Sequence, residues 1–397
     1  MGVLRVLVNG VWVDIGGASD EVVVGPDDPI LLTPTAELWY DTDATSVASA
    51  PLYSGRNLVD NGQMAVRQRL ATSVAMGAAT VLADRWYVMN NGLGASTLTH
   101  GTLAGFGQFP PAGRPRPGNM QYIQMTTAEA AGALAAGDQL LFQHAIEGLY
   151  LQHLNWGTAD AKPLTISFDI YSSIATTYAV ELIRTEPAAR SNCRLLPVPA
   201  GFSTQTFTIS GDAAGTAVTN DNAARLYFIV WIGAGSTATS GVMQSGWAPA
   251  VSANRAVGIS NAFAATVGNV VGITNVQIEA GSQATPYEVR GYDQELMKCM
   301  RYFRQTERSS NLHGEGGWYG YSPSAMTFMH NIPFPVPMRT TPSRTFRGTF
   351  ANNGQVASHD VLVNSTSYTI SIATVAAAGN WAIYSNNNGY LEFSAEI

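Results

Sequence analysis

The sequence predicts a mainly β protein built as an antiparallel jelly-roll-like sandwich, with an N-terminal hairpin and arm, one short helix and a small C-terminal β module. Three observations predict it. Hydrophobicity alternates with period two over most of the chain. Stretches rich in Gly, Ser, Thr and Asn separate the alternating runs, as turns between short strands do. Only 12% of residues are charged, about half of the ~25% usual in globular domains. At 397 residues the chain is long enough for two or three modules, each with its own core.

The first element is the clearest. Val3-Leu4-Arg5-Val6-Leu7-Val8 and Val11-Trp12-Val13-Asp14-Ile15 flank Asn9-Gly10, the pair that supplies both positive-φ residues of a type I′ turn. A lone hairpin is marginal in water and needs a partner surface. Residues 17–55 are dominated by turn formers such as Gly25-Pro26-Asp27-Asp28-Pro29 and are expected to be an extended arm and linker. Residues 1–55 also hold eight acids against the single base Arg5, which is the whole net charge of −7. The remainder, with twenty bases and twenty acids, is neutral. It offers no basic face for phosphate, so nucleic acid is not expected as a partner.

Residues 56–292 carry the sandwich. Leu164-Thr165-Ile166-Ser167-Phe168-Asp169-Ile170 alternates apolar and polar, while residues 225–232 are apolar almost throughout, as a strand buried on both faces requires. Trp86, Trp156 and Trp231 fall in strand contexts and are expected in the core. A short Ala-rich helix is expected over 127–136. A second helix is expected over 293–305, capped by Asp293, with Leu296, Cys299, Met300 and Phe303 on one face. It opens the C-terminal module, 293–397. There Pro333, Pro335 and Pro337 alternate with Phe334, Val336 and Met338, and strand-like runs occur at 367–373, 381–384 and 390–395.

Several chemistries find no support. Cys193 and Cys299 sit in no metal or redox spacing, and Cys299 is expected to be a buried small hydrophobe. The six histidines form no ligand spacing, so no metal or cofactor is expected. Asp41, Asp43 and Asp60 are conceivable calcium ligands, though turn stabilisation is the simpler role. No phosphate loop, nucleophile elbow, signal-peptide stretch or membrane-length apolar run occurs. Paired carboxylates for glycoside hydrolysis would have to come from residues such as Glu147 and Asp169. Asp169, on the polar side of its strand, is expected to be solvated.

Particular residues resemble a known family. Asn57-Leu58-Val59-Asp60-Asn61-Gly62, Ala83-Asp84-Arg85-Trp86, Ile146-Glu147-Gly148, Leu154-Asn155-Trp156-Gly157-Thr158-Ala159 and Leu164-Thr165-Ile166-Ser167-Phe168 look like jelly-roll domains of bacteriophage tail and appendage proteins. So do Val276-Gln277-Ile278-Glu279-Ala280-Gly281-Ser282, Ala284-Thr285-Pro286-Tyr287-Glu288, Cys299-Met300-Arg301-Tyr302-Phe303 and Phe334-Pro335-Val336-Pro337-Met338-Arg339, in the same order. Glu37-Leu38-Trp39-Tyr40-Asp41-Thr42-Asp43 is similar to a segment near the start of other phage tail proteins. The resemblance implies a tail fibre or spike protein whose sandwich is like a carbohydrate-binding module. It implies a virion location, assembly in the host cytoplasm and action outside the cell, and it carries no mapped ligand site.

The expectation is therefore a non-enzymatic virion adhesin. Residues 1–55 would attach it to other virion proteins, and a homotrimer would meet host cell-surface polysaccharide without entering a membrane. The alternatives are a purely structural collar, capsid-fibre or tail decoration protein and, further off, a capsule-degrading glycosidase. Sugar recognition needs exposed aromatic faces with hydroxyl and amide groups nearby. The candidates are Trp318, Tyr319 and Tyr321 in the glycine-rich stretch 314–321, expected to be a loop, and Tyr384 beside Asn386, Asn387 and Asn388, expected to be a tip.

Overall fold

A computed structural model describes residues 55–69, 73–75, 80–92, 96–102, 121–127, 134–186, 188–306, 317–354, 356–374 and 379–396, with the backbone of five short strands within residues 1–54. Contacts divide the chain into two units, Met1–Arg56 and Asn57–Ile397.

In the first unit Leu4–Val8 pairs antiparallel with Val11–Ile15, and Val8 faces Val11. That register leaves a two-residue connection, as Asn-Gly demands; the turn residues themselves lie outside the described set. The stretch expected to be an extended arm contains a three-stranded sheet instead. Val22–Val24 pairs parallel with Leu38–Tyr40, which pairs antiparallel with Val47–Ala48. Two triplets, Val22-Val23-Val24 and Leu38-Trp39-Tyr40, supply the β-branched and aromatic residues that outweigh their turn-rich surroundings.

The second unit contains the sandwich. One sheet has six strands in the order Gly201–Ile209, Leu164–Ser172, Val270–Ala280, Gln121–Thr126, Thr97–Thr102 and Ser73–Ala75. The other has seven: Ala248–Pro249, Arg190–Val198, Thr176–Arg184, Ala224–Ala234, Gln139–Glu147, Trp86–Asn91 and Thr80–Val81. Every ladder in both is antiparallel. Leu164, Ile166, Phe168 and Ile170 enter the main core as their alternation requires, meeting Phe142, Val180 and Phe228. The apolar run 225–232 is buried on both faces. Leu226, Phe228, Val230 and Ile232 fill the main core, while Ile229 and Trp231 join Leu141, Ala179, Ala238 and Ala256 in a second cluster on the sheet's outer side. Trp86, Trp156 and Trp231 are all buried.

The expected helix is shorter than the sequence suggests. It spans Tyr292–Met300 with Gly291, not Asp293, at its N-cap, and Phe303–Gln305 is a strand. Phe303 pairs with Ser394, so a ladder to the distant C-terminal strand takes the residues that an i, i+3, i+4 pattern would have kept helical. Cys299 is fully buried and its thiol is pushed well above the ordinary range by that burial. Most of the other expected helix, 127–136, lies outside the described residues.

The C-terminal strands form two sheets over one core. Gly379–Ser394 is the centre of a four-stranded sheet, flanked by Ser343–Gly354 on one side and by Phe303–Gln305 and Gly317–Ser322 on the other. Thr327–Pro333, Ser367–Thr374 and Val356–Val363 make a three-stranded sheet. Phe334, Met338, Tyr368, Ile370, Ile372, Ile383, Leu391 and Phe393 fill the space between them. Of the alternating Pro segment, Phe334 and Met338 turn into this core while Pro335 is exposed.

Candidate functional site

The stretch expected to be a glycine-rich loop is a strand. Gly317–Ser322 pairs antiparallel with the start of the long strand Gly379–Ser394: Gly317 opposite Tyr384, Tyr319 opposite Ala382, Tyr321 opposite Asn380. Aromatic residues favour a pleated, half-covered surface, and a partner ladder supplies what a loop would have had to take from water. Tyr319 and Tyr321 are 74% and 58% exposed. Two positions apart on a strand, they point to the same side, roughly 7 Å from each other. Ala382 beside Tyr319 is small, and Asn380 beside Tyr321 is exposed. Among the described residues no strand pairs with the other edge of Gly317–Ser322.

The other two candidates fall differently. Tyr384 is no tip: it lies within the sixteen-residue strand Gly379–Ser394, in register phase with Tyr319 and Tyr321. Trp318 is one residue out of phase with both tyrosines and pairs with Ile383, a residue of the buried core. The side chains of Trp318 and Tyr384 lie outside the described set. The register thus brings three of the four candidate positions into phase and leaves Trp318 aside.

The two carboxylates weighed for hydrolysis sit in different sheets and are both fully buried. Glu147 receives Arg301 through Nε at 2.9 Å and Nη2 at 2.8 Å, and also the Tyr302 hydroxyl. Asp169 is not solvated as expected. It accepts from Thr204 Oγ1 at 2.6 Å and Asn275 Nδ2 at 2.7 Å, beside a register shift between Ser167 and Asp169. Asp60, one of the conceivable calcium ligands, is held by Lys298 at 3.1 Å and Arg85 at 3.7 Å; Asp41 and Asp43 lie outside the described residues.

A dense charged cluster fixes the C-terminal module on the sandwich. Arg85 is fully buried, stacks 3.4 Å above the Tyr302 ring and donates to the Ala145 carbonyl at 2.6 Å. Glu396 lies between Arg69 at 3.0 Å and Arg85 at 3.5 Å. Arg69 also holds Asp84 at 3.0 Å. Burial pushes the Asp84 carboxyl up to about 6, against the pull of Arg69 and Gln68. His144 donates through Nε2 to the Asp60 carbonyl at 3.1 Å, and burial, with Arg85 nearby, lowers it to about 3.

This cluster explains the ordered motifs. Ala83-Asp84-Arg85-Trp86, Ile146-Glu147-Gly148 and Cys299-Met300-Arg301-Tyr302-Phe303 converge there. Nearby, the Asn57 side chain donates to the Val276 carbonyl at 3.0 Å and accepts from the Ile278 amide at 3.1 Å, while its own backbone amide donates to Glu288 at 2.8 Å. These residues build the frame. Sequence reasoning missed the roles of Arg85 and Glu396: Arg85 showed only in a motif with no chemistry attached, and Glu396 in no motif at all.

No family model matches the chain, and no curated protein matches it in sequence. Among solved structures, the chain is similar to a protein described under "CBM4 structure and function", with 12% identity over 56% of this chain and 99% of that one, at a TM-score of 0.26. A putative sugar binding protein from Bacteroides thetaiotaomicron VPI-5482 is similar at 12% identity, over 56% and 99% of the two chains, with a TM-score of 0.30. The family 11 carbohydrate-binding module from Clostridium thermocellum, in complex with a β-1,3-1,4-mixed-linked tetrasaccharide, gives 7%, 53%, 98% and 0.24 in the same order. Superpositions this loose transfer no residue; the sandwich rests on the strand orders and core given above.

Proposed function

We propose that the chain is a glycan-binding attachment protein of a bacteriophage virion. The observation that carries the glycan reading is the in-phase pair Tyr319 and Tyr321, largely exposed on a strand whose partner strand sends Ile383, in the opposite phase, into the core. A pyranose lays its C–H face on such rings and bonds its hydroxyls to neighbouring amides. A buried joint holds the module that carries them, so the rings are presented in a fixed place. The phage assignment is supported by the ordered motifs. In this reading residues 1–55 join other virion proteins, three copies assemble for avidity, and no bond is made or broken. Glu147 and Asp169, each engaged in internal bonds, fit a binding role.

Adsorption of the purified protein to host cells tests the reading, together with the double variant Tyr319→Ala, Tyr321→Ala. Loss of adsorption at unchanged stability is the expected result; equal adsorption by the variant sinks it. Deletion of residues 1–55 should leave a folded protein that no longer joins the particle. Light scattering should give a trimer.

A further inference from the structure

We infer that the ligand of the Tyr319–Tyr321 platform is a neutral glycan, built of hexose or N-acetylhexosamine units without carboxylate, sulfate or phosphate. This rests on the reading that the platform binds glycan, and concerns only its chemical class.

The inference comes from where charge is and is not. No Asp, Glu, Lys or Arg occurs in residues 316–338, 348–359 or 361–391. Those stretches supply the whole platform half of the four-stranded sheet: Gly317–Ser322, the partner residues 379–384 and the flanking residues 351–354. Residues 316–397 contain six charged side chains in all. Arg344 pairs with Asp360 at 2.7 Å and Arg347 with Glu392 at 2.8 Å. The other two belong to the joint: Arg339 donates to the Ala395 carbonyl at 2.8 Å, and Glu396 meets Arg69 at 3.0 Å.

Position along the sheet adds to this. Arg347 lies opposite Tyr390, whereas Tyr319 lies opposite Ala382, eight residues away along the same strand. That strand bulges between the two points, and along Arg347's own strand the position opposite Ala382 is Asn353, six residues on; at about 3.3 Å per residue that is roughly 20 Å, well beyond the ~8–10 Å over which charges interact in physiological salt. An anionic polymer would therefore lose hydration against the rings with no cation from the described strands of this sheet half to compensate it. A neutral sugar loses little, because ring faces accept its C–H surface and amides such as Asn380 take its hydroxyls. From Gly316 on, the platform's own stretches of strand are uncharged but rich in such residue types, with Asn352, Asn353 and Asn386 in the same sheet; Glu315, just before the strand, adds only negative charge.

The test is affinity electrophoresis of the full chain through gels containing neutral polymers (dextran, galactomannan, glycol chitin) or anionic ones (alginate, hyaluronan, polysialic acid). The expected result is retardation by a neutral polymer, changed less than about twofold between about 50 and about 500 mM NaCl. The Tyr319→Ala, Tyr321→Ala variant should weaken it at least tenfold. Retardation by anionic polymers alone, lost in that variant, overturns the neutral class and leaves the platform reading standing. Retardation that ignores the variant overturns the platform itself. A folded protein retarded by none of these polymers, or a variant whose loss is dissociation into monomers by light scattering, overturns both.

Discussion

The sandwich and the C-terminal module use the same alternating pattern and finish with opposite surfaces. In the sandwich both faces of the seven-stranded sheet are covered: one by the main core, the other by the cluster around Leu141, Ile229 and Trp231. Six of its large aromatics, Trp86, Trp156, Trp231, Phe142, Phe168 and Phe228, are buried, while Tyr150, Tyr171, Phe202 and Trp247 stay partly exposed. The C-terminal four-stranded sheet packs one face on Phe334, Tyr368 and their neighbours, and Tyr319 and Tyr321 are left outside. Leaving such a side chain in water forgoes about 1.5–3 kcal/mol of burial. Two in phase on one strand are the exposed aromatic pair on which the proposed glycan site rests.

The largest expected effect attacks the joint between these regions. Replacing Arg301 by Met strands the fully buried Glu147 carboxylate without its cation. Removing one partner of a buried pair costs about 3–5 kcal/mol. Urea unfolding should show a loss of that order, and a loss below about 1 kcal/mol would mean that water already reaches Glu147.

The second prediction concerns pH. His144, lowered to about 3, is neutral in the fold and gains a proton more readily once unfolded, so stability falls as pH drops from about 6.5 toward 3. Asp84, raised to about 6, works the other way. Its contribution is full below the ordinary carboxyl value near 4 and is lost as pH rises through 6. The two windows overlap, and the larger displacement belongs to His144, so net stability should decline on acidification below pH 6. His144→Gln, which can still donate to the Asp60 carbonyl, should flatten that decline. Asp84→Asn should steepen it between pH 6 and 4. Melting curves across pH 4–8 decide, and identical slopes in wild type and both variants would show that neither group is linked to folding.

The smallest expected effect is on stability at the platform. Tyr319→Ala with Tyr321→Ala should cost under about 0.5 kcal/mol, as surface substitutions do. Phe228→Ala, at the heart of the sandwich, should cost about 3–5 kcal/mol. Comparable losses from the two would erase the contrast between the regions and make the tyrosines part of a subunit interface.

Locally encoded features are legible in the amino-acid sequence alone. The hairpin register follows from Asn9-Gly10, and the sandwich from period-two runs such as 164–170, because both depend on residues that are neighbours in the chain. The both-face burial of 225–232 is readable for the same reason. Tyr319 and Tyr321 are legible as candidates by residue type, since few other side chains stack on a sugar. Pairing across distance is not written locally. Gly317–Ser322 reads as a flexible loop until Asn380 to Tyr384 arrive beside it. Phe303 reads as helical until Ser394 does. The same holds for the joint, where Glu147 meets Arg301 and Arg69 meets Glu396 across 154 and 327 residues. A charge's partner is set by the tertiary fold, because nothing in the local pattern distinguishes an acid bound for solvent from one that will be buried on an arginine.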